Sequence, residues 1–160
     1  MTQLPEQTPV GAEQVMEVIG GITRVRGFLG ASQKRFTLVV TDRRLVFAEF
    51  TNEKLKELTR AAKEHAREEG KGALGRLGAA MGVSAMAAEP YRTMAPEVAL
   101  AENPENFALD RADVRKVRFK LGPGEAAAET MILKTGSGTY KFHVGSMRRV
   151  KEAFARAGIG

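Results

Sequence analysis

The alternation of hydrophobic and polar positions changes period twice along the chain. Over residues 22–50, β-branched and aromatic residues alternate with basic ones and form two runs, RFTLVV and LVFAEF, around the tetrapeptide TDRR. A period of two predicts strands, and two runs around a polar tetrapeptide predict a β-hairpin. Asp42 is expected to stabilise this turn through its side chain. The pair Gly20–Gly21 is expected to form another turn just before the hairpin.

Residues 51–104 follow a helical period at first. Apolar residues recur every three or four positions from Leu55 to Ala62, and Thr51 or Asn52 is suited to the N-cap. Oppositely charged residues three or four positions apart occupy the rest of the surface. The pattern predicts a solvated helix with one narrow apolar edge.

The next segment, ALGRLGAAMGVSAMAAEPYRTM, is rich in glycine and other small residues. Leu74, Leu77 and Met81 keep helical spacing beside a small face that includes Gly78 and Gly82. Because a small face permits close approach, one interpretation is a helix-to-helix or membrane-surface contact through these residues. Each glycine costs about 0.5–1 kcal/mol relative to alanine within a helix, so the other interpretation is a flexible, partly helical excursion over the domain.

A β pattern returns after residue 106. The runs FAL, VRKVRFKL, ETMILKTG and TYKFHV predict four further strands, the last two joined by the tight turn GSG. The final segment, SMRRVKEAFARAG, predicts an amphipathic helix capped by Ser146 and ended by Gly158. Within VRKVRFKL, alternation places Lys116, Arg118 and Lys120 on one exposed face.

These elements predict an α+β fold that is mainly antiparallel β. We expect about seven short strands, a C-terminal helix that caps an open end, and a helical, glycine-rich insert at residues 51–104. A chain of 160 residues with 43% hydrophobic residues is sufficient for one domain, residues 1–160, with its own core. Residues 1–12 are expected to be a flexible N-terminus.

The net charge of +6 is concentrated in one part of the chain. Residues 106–160 contain eleven basic and five acidic residues, whereas the rest of the chain is nearly balanced. A local excess suggests a cationic face for an anionic ligand or surface. The candidate residues for this surface are Arg24, Arg26, Lys116, Arg118 and Lys120.

Several classes of chemistry have no support in the sequence. The absence of cysteine excludes disulfides, thiolate zinc sites and cysteine nucleophiles. His65 and His143 have no metal-ligand spacing, and neither a nucleophile elbow nor a phosphate-binding loop occurs. We therefore expect no enzymatic activity, no cofactor and no metal. Without a signal-peptide pattern or a long apolar run, the expected location is the cytoplasm, with membrane-peripheral attachment as an extension.

The segments FTLVVTDRRLVF and FALDRADVRKVRF, followed by a hairpin and a terminal helix, resemble prokaryotic pleckstrin-homology-like (PH-like) and GRAM-like domains. The resemblance implies an open barrel of two bent sheets, closed at one corner by the helix. It also implies non-enzymatic binding of lipid head groups or proteins, in some members as homo-oligomeric rings. The insert is longer than the link expected in this family, and it would cover a sheet edge or supply an oligomer contact. The matching positions are Thr41, Asp42, Arg44, Leu45, Phe47, Asp113, Val114 and Val117.

Three functions follow from these observations. The first is a binding or scaffolding module that self-associates through unpaired strand edges and the glycine-rich insert. The alternative is a peripheral module whose cations face anionic lipid while Met81 and Met86 enter the membrane. Nucleic-acid binding is less favoured, because aromatic residues make up only 6% of the chain and tryptophan is absent.

Overall fold

Seven strands form one antiparallel sheet in the computed structural model, which describes residues 11–27, 31–68, 83–123 and 128–160. The strands are β1 (Val15–Arg26), β2 (Ser32–Thr41), β3 (Arg44–Glu49), β4 (Phe107–Asp110), β5 (Val114–Leu121), β6 (Glu129–Thr135) and β7 (Gly138–His143). Their order in the sheet is β4-β3-β2-β1-β7-β6-β5. The predicted α+β class with a mainly antiparallel sheet is confirmed.

Four α-helices accompany this sheet in the described part of the chain. They are α1 (Asn52–Glu68), α2 (Val83–Ala88), α3 (Pro96–Ala101) and α4 (Met147–Ala157). Short 3-10 turns follow α2 at Glu89–Arg92 and follow β4 at Arg111–Asp113.

The predicted helix caps are present. The Thr51 hydroxyl accepts a hydrogen bond from the backbone N–H of Lys54, and Ser146 does the same for Arg149. These bonds satisfy N–H groups that the first helical turn leaves without partners. Gly158 ends α4 with φ at +73°, a conformation that glycine adopts without a steric penalty.

β1 joins the two halves of the sheet, which are β1–β4 and β5–β7. It pairs with β2 over most of its length, and with β7 at Thr23 and Arg24. The expected turn at Gly20–Gly21 is wrong, because both glycines lie within β1 at a β-bulge, where Gly21 has φ of +71°. The bulge adds one residue opposite β2, so Ile19 and Ile22 both face the same core although they are three positions apart.

The main core lies between the two halves, on the side we call the inner face. The sheet curves so that the Phe47 ring of β3 stacks on the Phe142 ring of β7, with centroids 4.7 Å apart. Phe107 stacks on Tyr140 in the same way. Burial of such aromatic and aliphatic side chains is the principal stabilising contribution to a domain of this size.

α4 covers the inner face at one end of this core. Val150 and Phe154 are almost fully buried within it. The helix is fixed at its C-terminal end by Arg111, whose guanidinium donates to the carbonyls of Ala157 and Thr41. Arg111 therefore satisfies one carbonyl of the last helical turn, that of Ala157, and links it to the end of β2 at Thr41.

Residues 83–101 of the insert pack on the opposite, outer face of β1–β4. Val39 and Val46 point to this face and are buried against Ala88, Tyr91 and Ala99. The expectation that the insert covers a sheet edge is therefore wrong for residues 83–101, which cover a sheet face. The reason is that β2 is apolar on both sides, so its outer face needs a partner as much as its inner face does.

The turn between β2 and β3 is held differently from the expectation. The Thr41 hydroxyl accepts hydrogen bonds from the N–H groups of Arg43 and Arg44 at 3.1 and 2.9 Å. Asp42 instead accepts from the N–H of Gln14, in the segment that leads into β1. The threonine stabilises the turn, and the aspartate binds the segment that leads into β1.

Two matched substitutions test the covering of the outer face. Val39→Ala should destabilise the fold by about 2 kcal/mol, because it removes two buried methyl groups between β2 and the insert. Val25→Ala should cost about half as much or less, since Val25 is on the same face but only half-buried. Urea unfolding of both variants measures the difference. Equal losses would contradict the packing of the insert on β2.

Candidate binding surface

The outer face of β5, β6 and β7 carries a group of basic side chains. Cross-strand pairing places Lys116 beside Lys134, and Arg118 beside Ile132, which in turn is beside Lys141. Directly paired residues of an antiparallel sheet have their side chains on one face, so these groups are neighbours. We call this group the cationic face. It consists of Lys116, Arg118, Lys120, Lys134 and Lys141, all of which are exposed.

The cationic face is compact and contains no counter-charge of its own. With standard strand dimensions it extends about 14 Å along β5 and about 10 Å across the three strands. None of the outward positions of these strands holds aspartate or glutamate. Within the described residues, none of its five cations forms an ion pair. Such a surface attracts anions over a distance of about a Debye length.

The sequence predicted part of this face and missed the rest. Lys116, Arg118 and Lys120 are exposed and share one face, as the alternation within β5 indicated. Lys134 and Lys141 were absent from the prediction, because one strand's alternation does not reveal which neighbouring side chains lie on the same face. The register of the β5–β6–β7 pairing supplies that information. In the sequence, the tight turn GSG between β6 and β7 was the feature from which the register of these two strands could have been inferred.

Arg24 does not belong to the cationic face. It pairs with Phe142, whose side chain is in the inner core, so Arg24 also points to the inner face. Its guanidinium carbon lies 4.7 Å from the ring centroid of Phe107 and 4.9 Å from that of Tyr140. Burial, followed by the charge of Arg26, lowers the pKa of Arg24. The prediction that Arg24 shares a surface with the β5 cations is therefore wrong, because Arg24 lies on the inner face of the sheet and they lie on the outer face.

Arg26 lies near Arg24 at the open end of the core. Together with Lys34 and Glu105 these residues line a cavity of about 60 Å³. Lys34 and Glu105 form an exposed ion pair across it, with an N–O distance of 2.9 Å. The cavity is several times smaller than a typical small-molecule site, so the protein's own side chains fill this end.

The candidate contacts of the glycine-rich segment, Leu74, Leu77, Gly78, Met81 and Gly82, lie outside the described residues. Met86, which was expected to act with Met81 at a membrane, lies on α2 and is 40% exposed.

The described residues bring no cluster of potential metal ligands together. Among them, no group of three or more histidine, cysteine, aspartate or glutamate side chains converges. His143 is half-buried in β7 beside Thr23 and Thr130, and the side chain of His65 lies outside the described residues. No helix in the described ranges is long and apolar enough to cross a bilayer.

Comparison with known proteins leaves the family open. The sequence matches no family model and no curated protein. Among solved structures, the chain is similar to the C-terminal domain of an unknown protein from Leishmania infantum, with a TM-score of 0.48 and 8% sequence identity. The similarity covers 91% of this chain and 84% of the other. Function must therefore be argued from the chain's own residues.

Two substitutions test the separation of Arg24 from the cationic face. Arg24→Gln should destabilise the fold by about 1 kcal/mol, because it removes contacts of the guanidinium with two aromatic rings. Lys116→Gln should change the stability by less than about 0.5 kcal/mol, as an exposed side chain without a described partner. Chemical denaturation compares the two variants. A similar effect of both would contradict the assignment of these residues to opposite faces.

Proposed function

We propose that this chain is a non-enzymatic binding module of PH-like architecture that attaches to anionic membrane surfaces through the cationic face. The observation that carries the proposal is the combination of five exposed cations with a sheet face that nothing in the described chain covers. Residues 83–101 cover the outer face of β1–β4, so within the described ranges the broad open sheet face is that of β5–β7.

The PH-like part of the proposal is supported by three features. The first four strands and the last three form two consecutive meanders, which β1 connects. The terminal helix packs on the inner face. The T-D-x-R turn, Thr41 to Arg44, is held by the threonine hydroxyl, so the motif behind the resemblance has a structural role here.

The expected attachment is weak, reversible and sensitive to salt. A basic side chain near an anionic membrane contributes about 1 kcal/mol, so five contribute on the order of 5 kcal/mol when all reach the surface. The attraction decreases with ionic strength because the charges are exposed and therefore screened. We accordingly place the protein in the cytoplasm with transient membrane attachment.

The same cations suit nucleic-acid phosphates, but the aromatic residues do not. Phe119, Tyr140 and Phe142 all lie on the inner face, so the cationic face has no aromatic ring on which bases can stack. This arrangement favours a membrane surface over a single-stranded nucleic acid.

The membrane proposal predicts a loss of vesicle binding when the cationic face is neutralised. The double variant Lys116→Gln/Arg118→Gln should bind about 30-fold more weakly to vesicles of phosphatidylcholine and phosphatidylserine, since it removes about 2 kcal/mol of attraction. Flotation of the full chain over a range of lipid concentrations measures the change. Binding to pure phosphatidylcholine should be negligible for both proteins.

A matched control removes two exposed cations elsewhere. Lys56→Gln/Arg60→Gln, on α1, changes the net charge by the same amount and should retain vesicle binding within a few fold. Equal losses in both double variants would show that overall charge, and not this face, causes attachment. Binding that is independent of phosphatidylserine, or tighter binding to DNA than to vesicles, would overturn the proposal.

Self-association, the other function expected from the sequence, stays a prediction. Residues 83–101 of the insert are already packed on the chain's own sheet, so an oligomer contact would use other surfaces. Light scattering of the full chain at micromolar concentration gives the native mass. A mass of one chain would reject self-association, and a discrete multiple would support a closed oligomer.

A further inference from the structure

β5 is a long strand at the end of the sheet. It pairs with β6 along one side, and no described strand pairs with its other side. The N–H of Gly122 donates to the carbonyl of Ala128, and this bond fixes which residues of β5 have their backbone groups directed toward β6. Antiparallel alternation then directs the backbone N–H and C=O groups of Val117, Phe119 and Leu121 away from β6. The open edge can therefore accept another strand.

A groove continues beside the first half of this edge. Its volume is about 440 Å³, and it lies between β5 and the residues that follow α4. Its apolar lining includes Val114, Val117 and Ile159, and its charged lining includes Arg111, Arg115 and Asp42. A groove of this size leaves space for an extended segment next to the strand.

The charge of β5 determines which strand the edge accepts. All charged residues of VRKVRFKL are basic, and Lys151 of α4 lies over the Phe119 ring at 5.2 Å. A second copy of β5, paired antiparallel about its centre, would place Lys116 opposite Lys120 and Arg118 opposite Arg118. Like charges directly opposite each other are destabilising, so the edge disfavours its own copy.

We propose that the open edge of β5 binds an extended segment in which acidic and apolar residues alternate. The acidic side chains would lie beside Lys116, Arg118 and Lys120 on the outer face. The apolar side chains would lie on the inner side, next to Val117 and Phe119, which are only half-buried. Backbone pairing supplies affinity and the alternation supplies specificity. This ligand goes beyond the membrane proposal, because it requires the strand's backbone as well as its charge.

Two peptides of identical composition test the proposal. A fluorescent peptide of repeated Glu-Val pairs should bind the full chain roughly tenfold more tightly than a peptide with all Glu before all Val, because only the alternating order places charges and valines on opposite faces. Fluorescence anisotropy measures both affinities. Amide hydrogen exchange should slow at Val117, Phe119 and Leu121 when the alternating peptide binds.

A substitution at the end of the strand separates backbone pairing from side-chain contact. Leu121→Pro removes an outward N–H without breaking a bond to β6, and the leucine is 65% exposed, so the core is retained. It should bind the alternating peptide about tenfold more weakly than Leu121→Ala, which loses the side chain alone. Arg118→Glu should also lose binding of the alternating peptide. Because Arg118 is exposed, this substitution should leave the fold intact.

The outcomes distinguish this proposal from the membrane proposal. Leu121→Pro retains all five cations and should float with anionic vesicles as Leu121→Ala does. Equal binding of the two peptides, absence of binding, or unchanged exchange at the β5 amides would overturn edge pairing. A dimer formed through β5 would overturn the argument from like charge. Failure of edge pairing in the peptide or exchange experiments would leave the membrane proposal unchanged.

Discussion

The double pairing of β1 is the constraint on which the rest of the structure depends. This strand is hydrogen-bonded to β2 on one side and to β7 on the other, and it alone connects the two halves of the sheet. The bulge at Gly20–Gly21 corrects the parity of its side chains, so that Ile19 and Ile22 both enter the core. This strand must be continuous for the sheet to curve, for Phe47 to stack on Phe142 and for α4 to pack on the inner face.

The binding surfaces of the molecule are those that its own packing leaves open. α4 and the opposing half of the sheet cover the inner face, and the insert covers the outer face of β1–β4. Among the described residues, nothing covers the outer face of β5–β7, and no strand pairs with the far edge of β5. Both are dominated by lysine and arginine, which keep an exposed sheet soluble and at the same time favour anionic ligands. The two proposals use different parts of one strand: side-chain charge for membranes, and backbone groups for an acidic segment.

Local patterns predicted most of the elements, whereas their relations in space needed the structure. The alternation around TDRR and within VRKVRFKL identified strands, and Ser146 and Gly158 identified the limits of the last helix. The position of Arg24 was wrong because parity within one strand cannot say which side faces the core. The packing of the insert was also missed, although the continuous apolar run from Leu38 to Val40 is typical of a strand buried on both faces.

The pairing of β1 with β7 has a consequence for how the chain acquires its fold during synthesis. The ion pair between Glu17 and Arg156 joins residues 139 positions apart, and Thr23 pairs with His143. Contacts with so large a sequence separation form late, since the intervening chain must first be ordered. Until β7 is available for pairing, β1 has β2 as its neighbour in the described sheet and its other edge is exposed. The nascent chain is then most vulnerable to wrong strand pairing, and the pairing of β1 with β7 ends that interval.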